Sequence, residues 1–222
     1  MSTSTINSPS AKSSASDIAS ISGGFSFIGP RFSGKTKMAE MVAARLGFPL
    51  FDTDKIFNQQ YNMTVAQFLR SSGGNWEPFR KAETGIVLDL YPALPKNAIV
   101  SLGGGVAAHE FDYYRELNIE TMRVAGPVIY LRPDPLMPIC IQILSDREAK
   151  TLNDPNRPDL HNSVALSLHD KTRLTLEKRD PHYRRASDTI IYELDSKSPM
   201  PEQVALEQRA EHIIRIMATL RK

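Results

Sequence analysis

The chain has 222 residues, a formal net charge of +2, 41% hydrophobic residues and 23% charged residues. That length supports one domain with a full core, and the near-neutral charge gives no global case for a nucleic-acid partner. No apolar run approaches the ~20 residues that span a bilayer, and the single cysteine, Cys140, excludes an internal disulfide and fits a reducing cytoplasm.

Residues 1–22 are rich in Ser and Thr and nearly free of large apolar side chains. They are expected to form a disordered tail. A transit peptide is the other reading, although such peptides carry arginines and this segment has none. From residue 23 to 222, short apolar runs alternate with amphipathic stretches. Strands are predicted at 24–28, 49–51, 98–102, 127–131 and 188–192. Helices are predicted at 35–46, 64–71, 77–90, 110–118, 134–144, 164–178 and 202–220. This alternation predicts a three-layer α/β/α domain with a five-stranded parallel sheet. Residues 55–96 form an insert long enough for a small helical subdomain, and a polar loop over 146–162 is long enough to act as a lid.

The first predicted strand runs into Gly29-Pro30-Arg31-Phe32-Ser33-Gly34-Lys35-Thr36, which satisfies G-x-x-x-x-G-K-[ST] between a strand and a helix. Glycines there let the backbone wrap closely around phosphate oxygens. The N–H groups and helix N-terminus face the anion. In this pattern Lys35 reaches the β- and γ-phosphates, and the Thr36 hydroxyl holds Mg²⁺. The motif predicts nucleoside triphosphate binding without naming the acceptor.

Later segments are individually weaker. Asp52 and Asp54 sit where the second strand ends, fit either for a metal and a substrate hydroxyl or for capping a helix. Arg80, in Phe79-Arg80-Lys81-Ala82-Glu83, has the planar fork that grips a carboxylate, or it pairs with Glu83 or Thr84 on a solvated face. Gly103-Gly104-Gly105 ends the third strand and permits close approach by a ligand. Arg147 and Arg157 bracket the polar loop. The basic stretch around Arg179 ends a helix, where cations also suit the dipole. His169 and His182 have no metal-ligand partners at a convincing spacing.

In their order along the chain, Gly29 to Thr36, Asp52-Thr53-Asp54, Phe79-Arg80-Lys81-Ala82-Glu83, Gly103-Gly104-Gly105, Arg157-Pro158 and Arg179-x-Pro181-x-Tyr183 resemble the shikimate kinase family. This is a nucleoside monophosphate kinase-like group of P-loop folds. The resemblance covers everything beyond the tail. It implies ATP- and Mg²⁺-dependent phosphorylation of the 3-hydroxyl of shikimate, by a cytoplasmic monomer without a nucleic-acid or membrane partner. It further implies that Gly29, Ser33, Gly34, Lys35, Thr36, Lys37 and Arg147 bind the nucleotide, and that Thr36 and Asp52 hold the metal. Asp54, Arg80, Gly103, Gly104, Gly105 and Arg179 would bind shikimate, and Lys35, Asp54 and Arg157 would act in catalysis. Pro30, Phe32, Asn75 and Asp159 depart from the family pattern. A catalytically silent sensor on the same fold, and a kinase of another small hydroxy acid such as gluconate, are the alternatives.

Overall fold

The computed structural model describes residues 24–151, 166–193 and 201–220. The expected tail, Arg157, Asp159 and residues 152–162 of the expected lid lie outside them. In chain order the elements are β1 (Phe25–Ile28), α1 (Lys35–Leu46), β2 (Leu50–Asp52), α2 (Thr53–Tyr61), α3 (Val65–Ser71), α4 (Trp76–Leu90) and a 3₁₀ turn (Tyr91–Ala93). Then come β3 (Ile99–Ser101), α5 (Asp112–Ala125), β4 (Val128–Arg132), α6 (Met137–Ala149), α7 (Leu168–Ala186), β5 (Thr189–Tyr192) and α8 (Glu202–Met217).

The five strands pair in the order β2-β3-β1-β4-β5, and every pairing is parallel. Alternation along the strands explains the three layers. Phe25 and Phe27 of β1, with Ile129 and Leu131 of β4, face one side. They pack there on Met38 and Val42 of α1 and Ile213 and Met217 of α8. Ile28, Val100, Val128 and Tyr130 face the other side, against Val87 of α4, Ile119 and Met122 of α5, and Tyr183 of α7. A sheet buried on both faces needs near-continuous apolar strands, which this sequence supplies. Strand β1 is central, so the chain winds one way to β3 and the other way to β4. The carboxyl end of β1 therefore opens into the crevice where α/β folds bind ligands.

Several helices differ from the sequence expectation; α6 runs to Ala149 rather than residue 144, and α8 ends at Met217 rather than residue 220. Helix α2 was not anticipated. It is short, and it forms because Asp52 caps it and its Phe57 stacks on Tyr61 and meets Phe68 and Phe79 edge-on. Helix α5 runs on to Ala125 rather than stopping at residue 118, because Ile119 and Met122 continue its buried stripe. Helix α7 runs to Ala186 through Pro181. Proline removes one helical hydrogen bond, but Asp180 and Tyr183 on that turn are held by tertiary bonds described below. Among the described residues, no helix is long and apolar enough to cross a membrane.

Candidate active site

The phosphate loop joins β1 to α1. Gly34 sits at φ +82° before the helix, and no side chain caps the N-terminus or places an acid in the first turn. The first N–H groups and the positive end of the dipole are thus left for an anion. Lys35 is buried, and its Nζ donates to the Pro30 carbonyl at 2.7 Å. Burial, opposed by Asp54 and Asp52, pulls its pKa down to about 8. A phosphate oxygen is a stronger partner than that carbonyl, so the bond marks where Lys35 waits. Gly29 is required: at φ +142° a Cβ would lie 2.4 Å from the Leu131 carbonyl oxygen. Phe32, by contrast, adopts φ +64° without being glycine. Its ring packs against the cluster of Cys140, Ile141, Leu144 and Leu176, and that packing offsets a backbone strain of roughly 1–2 kcal/mol.

Beside Lys35, the Thr36 hydroxyl donates to Asp52 Oδ2 at 3.3 Å and lies 3.4 Å from Ser101 Oγ. The other oxygen of Asp52 accepts from the backbone N–H groups of Asp54 and Lys55, at 3.0 and 3.1 Å. Capping and metal approach, alternatives in the sequence, are met here by separate oxygens of one carboxylate. One carboxylate and two hydroxyls form a hard oxygen set suited to Mg²⁺, which keeps waters and shares substrate phosphates rather than taking an all-protein cage. Among the described residues, no group of three or more His, Cys, Asp or Glu forms a metal cluster.

Across a cleft of about 420 Å³ stands a second set of charges. Arg80 and Glu83 of α4 pair at 2.8 Å with both side chains 4% exposed. The i,i+3 pair anticipated on a solvated face exists, but it is buried. The Arg80 guanidinium also lies 4.8 Å from the Trp76 ring and 5.0 Å from the Phe79 ring, and its Nε has no acceptor among the described residues. Arg179 of α7 reaches the Gly104 carbonyl at 3.5 Å, a carbonyl that also accepts from the Tyr183 hydroxyl. That turn of α7 is tied to the sheet as well, since Asp180 accepts from Tyr130 Oη at 2.7 Å and pairs with Arg132 and Arg184. His109 is buried beside these cations. Burial first, then Arg80 and Arg115, push its pKa down to about 3, so its imidazole stays neutral.

Gly103-Gly104-Gly105 passes between the two sets. A Cβ on Gly103 would meet Asp54 Oδ1 at 2.6 Å, and one on Gly105 would meet Arg80 Nη1 at 2.2 Å. Asp54 itself, in the first turn of α2, opens to the cleft. The cleft walls limit its hydration and the Glu83 and Asp52 carboxylates repel its charge, which together raise its pKa to about 6.

Of the residues singled out in the sequence, Gly34, Lys35, Thr36, Lys37, Asp54, Arg80, Gly104, Gly105 and Arg179 line one cleft. Gly29, Ser33, Asp52 and Gly103 back it. The placement of Arg147 differs from the expectation of a loop residue. Residues 146–149 belong to α6 rather than to a loop, and Arg147 forms a two-pronged pair with Glu193 at 2.8 and 2.6 Å. Its Nη1 also donates to the Phe32 carbonyl at 2.9 Å, so it meets the phosphate loop from outside the cleft. Sequence reasoning missed Arg31 and Trp76, which line the cleft, and the part Glu83 takes in it. Arg31 fills a variable position of the motif, so no pattern flags it. Glu83 stood three residues from Arg80, and that spacing was the available signal.

A phosphate loop at the carboxyl end of the central strand, facing the buried Arg80 and the half-buried Arg179 across one cleft, defines a P-loop phosphotransferase with room for a small acceptor. Comparison with known proteins narrows the class. A family profile described as shikimate kinase matches residues 31–218, and the chain belongs to that family, whose members use ATP. Shikimate kinase 2 of Yersinia enterocolitica is 30% identical over 191 residues, covering 86% of this chain and 93% of its own. Among solved structures, a shikimate kinase from Acinetobacter baumannii in complex with shikimate has a TM-score of 0.70 at 21% identity, covering 92% of this chain and 97% of that one. A shikimate kinase from Bacteroides thetaiotaomicron gives 0.64 at 22% identity, covering 88% and 98%.

Proposed function

We propose that this chain transfers the γ-phosphoryl group of ATP to the 3-hydroxyl of shikimate, with Mg²⁺ as cofactor. The observation that carries the reading is the single cleft with Lys35 and Thr36 at one end, Arg80 and Arg179 at the other, and Asp54 between them. Phosphoryl transfer asks mainly for positioning and charge neutralisation, and this cleft offers both. The helix N-terminus, Lys35 and Arg31 receive the phosphates. Arg80, held rigid by Glu83, Trp76 and Phe79, grips the acceptor carboxylate together with Arg179. The arrangement also raises specificity, because a neutral sugar would leave Arg80 Nε and Arg179 without an anionic partner.

With a pKa near 6, Asp54 is mostly ionised at neutral pH yet holds a proton better than an ordinary carboxylate. It accepts the proton of the attacking hydroxyl as that oxygen bonds to the γ-phosphorus and the bond to the β-phosphate oxygen breaks. Thr36 Oγ1 and Asp52 Oδ2 would hold Mg²⁺, which neutralises charge on the phosphate oxygens when bound. The helices between β2 and β3 form the acceptor-binding part of the molecule. Arg157 is assigned to the transferring phosphate on the resemblance of Arg157-Pro158 alone. The test is ADP release by purified protein with ATP and Mg²⁺. Release that depends on shikimate, and not on gluconate at equal concentration, is expected. Shikimate binding without ADP release would instead identify a sensor.

A further inference from the structure

Behind the phosphate loop, three charged side chains from three elements converge. Arg147 from the end of α6 straddles Glu193, which follows β5, and Arg209 of α8 reaches the same carboxylate, with Nη1 2.8 Å from Oε1. None of the three lines the cleft. Arg209 is 3% exposed, so the cluster is not a loose surface pair. Each arginine also touches the backbone of the loop: Arg147 Nη1 donates to the Phe32 carbonyl at 2.9 Å, and Arg209 Nη1 to the Ser33 carbonyl at 3.4 Å.

We propose that Glu193 and Arg209, acting with Arg147, are positioning residues that set the phosphate loop for ATP. In a trans peptide the carbonyl and the following N–H point in opposite directions. Holding the Phe32 and Ser33 carbonyls outward therefore turns the N–H groups of Ser33 and Gly34 toward the cradle. Two features of this loop make such a brace necessary. Pro30 leaves the cradle one N–H short, so each remaining donor matters more. Phe32 holds a left-handed backbone without being glycine, a conformation that persists only when its surroundings over-determine it. The Ser33 N–H lies 3.4 Å from the Pro30 carbonyl, a long bond that a phosphate oxygen readily replaces.

This inference rests on the loop being the ATP site, so wild-type ADP binding is measured first, by calorimetric titration of the full chain. Wild type that binds no ADP overturns both readings. Given wild-type binding, Glu193→Gln, which keeps the shape and loses the charge, is expected to raise the ADP Kd about tenfold through loss of charge-assisted bonds. The KM for ATP should rise by a similar factor, while the KM for shikimate and kcat at saturating ATP stay within about twofold. Arg209→Lys, which keeps the charge and loses the fork, should fall between wild type and Glu193→Gln. If Glu193→Gln and Arg209→Lys bind ADP as wild type does and only lower Tm, the cluster is a structural staple and the proposal fails.

Discussion

The two ends of the cleft are made from different materials. At the phosphate end the ligand-facing groups are mostly backbone: N–H groups of the loop and the open first turn of α1, with Lys35 as the main added side chain. At the acceptor end they are side chains from separate elements, Asp54 on α2, Arg80 and Glu83 on α4, and Arg179 on α7, with glycines between them. A backbone site tolerates side-chain change as long as its dihedral angles survive, which is how Pro30 and Phe32 are accommodated. A side-chain site has less freedom, because each charge must be held in place and Arg80 and Glu83 are buried against one another. Substitutions should therefore act gently at one end and severely at the other.

The largest expected effect lies between the ends. Asp54→Asn removes the proton acceptor with little change in volume, and kcat should fall by about 10²–10⁴. The pH dependence sharpens this. In free enzyme Asp54 must be ionised and Lys35 protonated, so kcat/KM should rise with pH through about 6 and fall above about 8. The lower limb should vanish in Asp54→Asn, and a limb that persists there would move the base elsewhere.

Next comes Arg80→Ala. Loss of a charge-assisted carboxylate contact worth roughly 1.5–3 kcal/mol predicts a KM for shikimate raised about 10- to 100-fold, with the KM for ATP nearly unchanged. Glu83 would be left buried without its partner, so Tm should fall too, by the equivalent of about 3–5 kcal/mol. Equal rises in both KM values would break the division between the two ends. Gly105→Ala should act in the same direction but less, about tenfold in the KM for shikimate, or ~1.4 kcal/mol, since its Cβ forces the Arg80 guanidinium to move. The smallest effect is expected at the backbone end. Phe32→Gly relieves left-handed strain of about 1–2 kcal/mol but loses ring packing, and the KM for ATP should change less than about threefold. A larger rise would mean that the Phe32 side chain, and not only its backbone, shapes the cradle.

The same contrast governs what the sequence makes legible. The phosphate end is contiguous, so eight residues between a strand and a helix reveal it. The predicted strands agree with the structure to within one residue at each end, and α1 agrees at both ends, because apolar runs bounded by turn residues are strong local signals. The acceptor end is dispersed, and it becomes readable only through the order of several weak motifs. What escapes is set by tertiary contacts. Helix α2 depends on the aromatic cluster around Phe57, and α7 crosses Pro181 because Asp180 and Tyr183 are anchored to the sheet and to Gly104. Arg147 looked like a lid residue from its charge and its neighbours, but its partner Glu193 lies 46 positions away. No local pattern announces that pairing.

The account's central claim is that one cleft joins ATP to a small carboxylate acceptor and moves a phosphoryl group between them. Phosphorus NMR of a reaction containing the protein, ATP, Mg²⁺ and shikimate tests it most directly. The account predicts one new phosphate monoester on the 3-hydroxyl of shikimate, formed in equal amount with ADP. ADP accompanied only by inorganic phosphate, or unchanged ATP beside demonstrably folded protein, would contradict it.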